Sequence, residues 1–182
     1  MSLPVVLPMK KLLIVAGPQG SGNHLFARLL SAHPNVVGWD SLKDNYWVPS
    51  DEEPFARYWV HPEELTFPEG EFFCANVSVP FFYDGVRQVP KIKEVAQKAI
   101  SLGVQPIIAL IVRDRNINEL QQKRVGGEVT MDTALEYFKD LTCHFIDHEA
   151  FFLWKEKYIE YLGRILEFPV TTKSIDNFIT VD

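Results

Sequence analysis

Residues 106–112, Pro-Ile-Ile-Ala-Leu-Ile-Val, carry no polar side chain at any position. A strand with one wet face would alternate apolar and polar residues. This run buries both faces, and a parallel sheet covered by helices on its two sides is the setting that allows it. The neighbouring segments supply the parts. Residues 11–16 (KLLIVA) form a second apolar run, and Leu25, Phe26, Leu29 and Leu30 then recur at helical spacing until His33-Pro34 stops them. Further strands are predicted over 36–39, 71–79 (closed by Pro80) and 144–147, with helices over 89–102, 116–124, 130–141 and 149–168. Residues 41–70 keep no sustained period and read as a long irregular segment. Strands alternating with helices predict an α/β fold in three layers, a central parallel sheet with right-handed crossovers and helices on both faces.

The chain has 182 residues, the length of a single domain, and no internal repeat or linker divides it, so one domain over 1–182 is expected. Its 18 basic against 24 acidic side chains leave a net charge of −6. An acidic chain lacks the broad positive field that nucleic acids and anionic membranes attract, so neither is an expected partner, while a small anion in a local pocket is compatible. Cys74 and Cys143 each lie in an apolar or mixed stretch and read as reduced thiols of a cytoplasmic protein. The basic pair Lys10-Lys11 is followed by an apolar run too short for a signal sequence or a membrane span. Residues 1–8 read as a leader or an added segment, with Met9 an alternative start.

The strongest chemical signal is Gly17-Pro-Gln-Gly-Ser-Gly-Asn-His24, between the first strand and the first helix. Glycines there let the backbone curl and aim N–H groups at a tetrahedral anion beside the positive end of the helix. An ordinary tight turn would also use them. The spacing G-x-x-x-x-G is that of the ATP-binding motif, but Asn23 replaces its lysine and His24 its Mg²⁺-binding Ser or Thr. That disfavours a kinase or ATPase.

Three segments, in order, resemble the sulfotransferases that use 3′-phosphoadenosine 5′-phosphosulfate (PAPS). Ser21-Gly-Asn-His-Leu-Phe-Ala-Arg-Leu-Leu-Ser-Ala-His-Pro34 is similar to that family's S-G-T-T-L-L-A-R-L-L-S-x-H-P. Ile111-Val-Arg-Asp-Arg115 resembles the strand ending in R-D-P-R, and Phe145-Ile-Asp-His148 with the later Tyr161-Leu-Gly-Arg-Ile-Leu-Glu-Phe-Pro-Val170 resembles the family's late Y-E-D-L … L-L-E-F-L-G-L-P. The resemblance implies a P-loop α/β fold and in-line transfer of a sulfuryl group from PAPS, as co-substrate, to the hydroxyl or amine of a small-molecule acceptor, with no metal. It implies that Gln19, Gly20, Ser21, Gly22, Asn23 and His24 hold the 5′-phosphosulfate. Arg113 and Gln121, the latter at the place of a family serine, would hold the 3′-phosphate. Gln19-Gly20 stand where the family carries Lys or Arg, and Ser78 where one branch has a strand histidine. Another branch takes its base from a carboxylate shortly after the H-P that ends the first helix, which points to Asp40, with His61 the next candidate.

Cys143, His144, Asp147, His148 and Glu149 are metal-ligand types, but a strand-to-helix junction between His144 and His148 sends their side chains apart. Trp39, Tyr46, Trp47, Phe55, Tyr58, Trp59 and Phe81–Tyr83 gather in segments expected to roof the acceptor site. Two competing readings are a small nucleotide or nucleoside kinase with a degenerate loop, and a non-catalytic adenine-nucleotide-binding module on the same fold.

Overall fold

The computed structural model describes residues 9–38, 55–124, 129–173 and 175. In chain order the elements are β1 (Lys10–Pro18), α1 (Asn23–Ser31), β2 (Val36–Val37), α2 (Ala56–Val60), a 3₁₀ turn (Pro62–Glu64), β3 (Phe72–Val79), β4 (Phe81–Tyr83), β5 (Val86–Gln88), α3 (Ile92–Ser101), β6 (Val104–Val112), α4 (Arg115–Arg124), α5 (Met131–Phe138), β7 (His144–Asp147) and α6 (His148–Ile165). Five strands form one sheet in the order β2-β3-β1-β6-β7, and every neighbouring pair is parallel.

The period-2 alternation of the central strands divides the core in two. Leu13, Val15, Ala109 and Ile111 face Phe26 and Leu30 of α1 and Phe151 and Ile159 of α6. Leu12, Ile14, Ala16 and Leu110 face Ile92 and Ala99 of α3, Ala134 and Phe138 of α5, and Trp59 of α2. The result is the three-layer α/β arrangement expected from residues 106–112, which form most of β6 beside the central β1. Among the described residues no helix is long and apolar enough to cross a membrane.

Two elements differ from the sequence reading. Residues 81–88 form an antiparallel hairpin, β4 with β5, turned by Asp84 and Gly85 at φ 49° and 72°. Positive φ at both central residues is the hairpin geometry that Asp-Gly favours, so α3 starts only at Ile92, after this excursion. The long helix predicted over 149–168 is α6, whose backbone leaves helical geometry at Lys155 (φ 44°, ψ −117°).

Candidate functional site

The loop between β1 and α1 sits where ligands of parallel sheets gather, outside the carboxyl ends of the strands. Gly20 (φ 78°) and Gly22 (φ 91°) both occupy the left-handed region, and Gly22 is the residue that starts α1. The Ser21 N–H turns back to the Pro18 carbonyl (3.1 Å). Among the described residues, none accepts from the backbone N–H of Gly20, Gly22 or Asn23. The first turn of α1 contains no acidic side chain, so no carboxylate of that turn meets the helix's positive end. The Ser21 hydroxyl is fully buried without a hydrogen bond, against Gly17, where an added Cβ would lie 2.2 Å from it.

The carbonyls of Gln19 and Gly20, in contrast, are taken. Arg113, at the end of β6, donates from Nη1 to the Gly20 carbonyl (3.1 Å). Gln122 donates from Nε2 to the Gln19 carbonyl (2.6 Å) and accepts from the Thr130 N–H (3.0 Å). Asn118 completes the clasp when its amide oxygen is assigned toward the Ser21 N–H (3.1 Å) and its nitrogen toward the Gln19 carbonyl (2.9 Å). Gln121 touches the loop through its stem, with Cγ 3.2 Å from where a Gly20 Cβ would lie. Asp114, between the two arginines, accepts from the N–H groups of Asn116 and Ile117 (2.9 and 3.1 Å) and so starts α4. Of these residues, Arg113 and Gln121 are the two that the sequence assigns to a 3′-phosphate, whereas Asn118 and Gln122 carry no sequence assignment. Their signal lies in an inverted helix: α4 buries Asn118 and Gln122 almost completely while exposing Ile117 and Leu120.

Gly22 has a close neighbour on its other side. The His148 ring, buried at the start of α6, places Cδ2 2.6 Å and Nε2 2.9 Å from the position of a Gly22 Cβ. It meets Phe26 edge-on at 6.1 Å between centroids and Phe152 at 5.0 Å. One oxygen of Glu149, Oε1, lies 3.7 Å from His148 Nδ1 and 3.9 Å from Arg113 Nε. Asp147 caps α6 by accepting from the Ala150 N–H (2.9 Å), which fixes where His148 begins. The chain matches no family model and no curated protein.

Asn23, in place of the lysine of the ATP-binding motif, is buried, and its Nδ2 donates to Ser78 Oγ (3.1 Å). Ser78 is level with Gly17 in the β1–β3 register, at the carboxyl end of β3. Asn76 lies on the same face of β3, fully buried, with neither amide atom hydrogen-bonded. Cys74 follows on that face, the pKa of its thiol pushed up to about 12 by burial, against which the Ser31 hydroxyl acts. His24, half-buried, follows Asn23 on α1.

Asp40 lies outside the described residues, as do Trp39, Lys43, Tyr46 and Trp47. His61 stands exposed where α2 ends, with Nδ1 3.4 Å from Glu63 Oε1. It adjoins Glu64, which pairs with Arg57, and this group belongs to the α2–α3 side of the sheet, away from the face that α1 covers. His61, Glu63 and Glu64 bring potential ligand atoms within 4.8 Å of one another, the one such group among the described residues, and all three are exposed. His144 lies exposed in β7 while His148 is buried in α6, the divergence that the strand-to-helix junction predicts.

Proposed function

We propose that the chain is a sulfotransferase that moves a sulfuryl group from PAPS to the hydroxyl or amine of a small-molecule acceptor. The observation that carries this reading is the loop, where the N–H groups of Gly20, Gly22 and Asn23 stand open at the head of α1 with no lysine among them. A nucleoside triphosphate with Mg²⁺ calls for that lysine and for a hydroxyl at the next position. Here Asn23 is occupied with Ser78 and His24 follows, a combination better suited to an anion held by backbone donors without metal.

The residues fit the donor. Its 5′-phosphosulfate would rest on the open N–H groups, with Gln19 to His24 around it. Arg113 has donors to spare for the 3′-phosphate, since Nη1 alone is committed to Gly20 and Nε carries no hydrogen bond. The Gln121 amide adds a neutral donor beside it. In the transfer, the acceptor oxygen or nitrogen bonds to sulfur as the bond from sulfur to the 5′-phosphate oxygen breaks. Charge develops on that leaving oxygen, where fixed N–H groups stabilise it most effectively. Asp40 is the group assigned to take the acceptor's proton, with His61 second, although its distance from the face that α1 covers counts against it.

A thermal-shift comparison tests the reading. 3′-Phosphoadenosine 5′-phosphate without metal is expected to raise the melting temperature more than ATP does, with or without Mg²⁺. A larger shift with ATP and Mg²⁺ favours the kinase instead. The Asn23–Ser78 pair supports a second reading, because it occupies the place where one sulfotransferase branch carries its strand base. On that reading the chain binds an adenine nucleotide without catalysis: the 3′-phosphorylated nucleotide stabilises it, yet no phenol, sugar or amine acquires label from PAPS.

A further inference from the structure

We propose that His148 is an anion-binding residue of the glycine loop, supplying the positive charge that Gln19, Gly20 and Asn23 leave out. The inference deepens the anion-binding part of the function proposed above and rests on it.

Three features of the structure support this role. The ring is pressed against Gly22, close enough to leave no room for a Cβ, and Gly22 contributes one of the open N–H donors. An anion held by the Gly22 N–H would have this ring as a neighbour, and opposite charges favour each other over ~4–6 Å. Next, Glu149 Oε1 stands between His148 Nδ1 and Arg113 Nε. It brings a negative charge to the imidazole from one side, while Nε2 lies on the Gly22 side. Arg113 holds the Gly20 carbonyl and His148 abuts Gly22, so two basic side chains bracket the loop with one carboxylate between them. Finally, the ring's surroundings fix it in place. Phe26 and Phe152 flank it, and the Asp147 cap sets the first turn of α6 that carries it. A ring held in place needs no rearrangement to meet the anion, unlike a flexible surface lysine. The Ser21 hydroxyl, buried and unpaired within the loop, is a separate sign that a polar ligand belongs here.

Inorganic sulfate does not titrate near neutral pH and serves as the probe. Sulfate is titrated into the full chain at pH 6.5 while the histidine ring signals are followed by NMR, with the His148 signal assigned from H148Q. The His148 signal is expected to shift on saturation, and H148Q and H148F are expected to bind sulfate and 3′-phosphoadenosine 5′-phosphate roughly tenfold to a hundredfold more weakly, as loss of a charge-assisted contact implies. H148F keeps a ring between Phe26 and Phe152, and H148Q keeps a polar group. If either folds with wild-type affinity for both anions, the proposal is overturned. It is likewise overturned if the wild-type chain binds neither. Sulfate binding that depends on His148, in a protein that does not prefer the 3′-phosphorylated nucleotide, would remove the sulfotransferase reading and leave this inference standing.

Discussion

Gly22 and Gly103 hold similar left-handed backbones, φ 91° and 75°, in opposite surroundings. A Cβ on Gly103, in the turn that ends α3, would meet nothing within 4 Å. On Gly22 it would strike the His148 ring at 2.6 Å. At Gly103 the torsion alone accounts for glycine, since a left-handed residue just past a helix satisfies its last carbonyls. At Gly22 the torsion is half of the requirement, and close packing is the other half. A plain turn needs only the first. The β1–α1 loop is held by α4 on one side and α6 on the other, and among the described residues nothing accepts from the N–H groups of Gly20, Gly22 and Asn23 while the Gln19 and Gly20 carbonyls are bound. On the function proposed, that asymmetry suits a loop that receives an anion, and a plain chain reversal does not call for it.

The largest expected effect is at Gly22. Gly22→Ala carries the left-handed penalty of about 1–2 kcal/mol and an overpacking cost of about 1–3 kcal/mol against a buried ring that has little room to move. Together these take a large share of the ~5–15 kcal/mol that holds a domain together. A loss of this size in urea denaturation, with nucleotide binding abolished, is the expected outcome. Were Gly22→Ala to cost no more than Gly103→Ala, the contrast between the two glycines would fail, and His148 would not be pressed against the loop.

Arg113 comes next, because it has two partners to lose. Arg113→Ala removes the bond to the Gly20 carbonyl and, on the function proposed, the contact to a 3′-phosphate. Binding of 3′-phosphoadenosine 5′-phosphate should weaken roughly tenfold to a hundredfold, and binding of adenosine 5′-phosphate by much less. Calorimetry on the two nucleotides separates the roles. Equal losses would make Arg113 part of the clasp alone, with no contact to a 3′-phosphate.

The strand–loop–helix unit and the doubly covered β6 were legible in the sequence because each depends on local order: apolar runs, helical spacing, and glycines in a row. The clasp was not. Gln122 reaches the Gln19 carbonyl across 103 residues, and its helix buries amides while leaving Ile117 and Leu120 exposed. A reading by hydrophobic spacing turns such a helix the wrong way, because it assumes that burial follows apolarity rather than unpaired carbonyls. Gln121, at the place of a family serine, falls one residue short of Gln122, the amide that holds the loop. His148 escaped for a similar reason: across the strand-to-helix junction from His144, it gave no local sign of the glycine it packs against. The hairpin at residues 81–88 is a different kind of miss, since Asp84-Gly85 is itself a strong turn signal.

Gly103→Ala should give the smallest change, and it calibrates the rest. With no neighbour within 4 Å, the substitution adds backbone strain alone, about 1–2 kcal/mol, offset in part because alanine has fewer conformations to lose on folding. The unfolding free energy from urea denaturation should therefore fall by about 1 kcal/mol, and sulfate and nucleotide affinities should stay at their wild-type values, since the turn joins α3 to the amino end of β6, opposite the loop. This variant measures the cost of the torsion by itself. The difference between it and Gly22→Ala is then the contribution of His148 contact. If Gly103→Ala proves as damaging as Gly22→Ala, the torsion accounts for both glycines, and the packing of α6 on the loop explains nothing further.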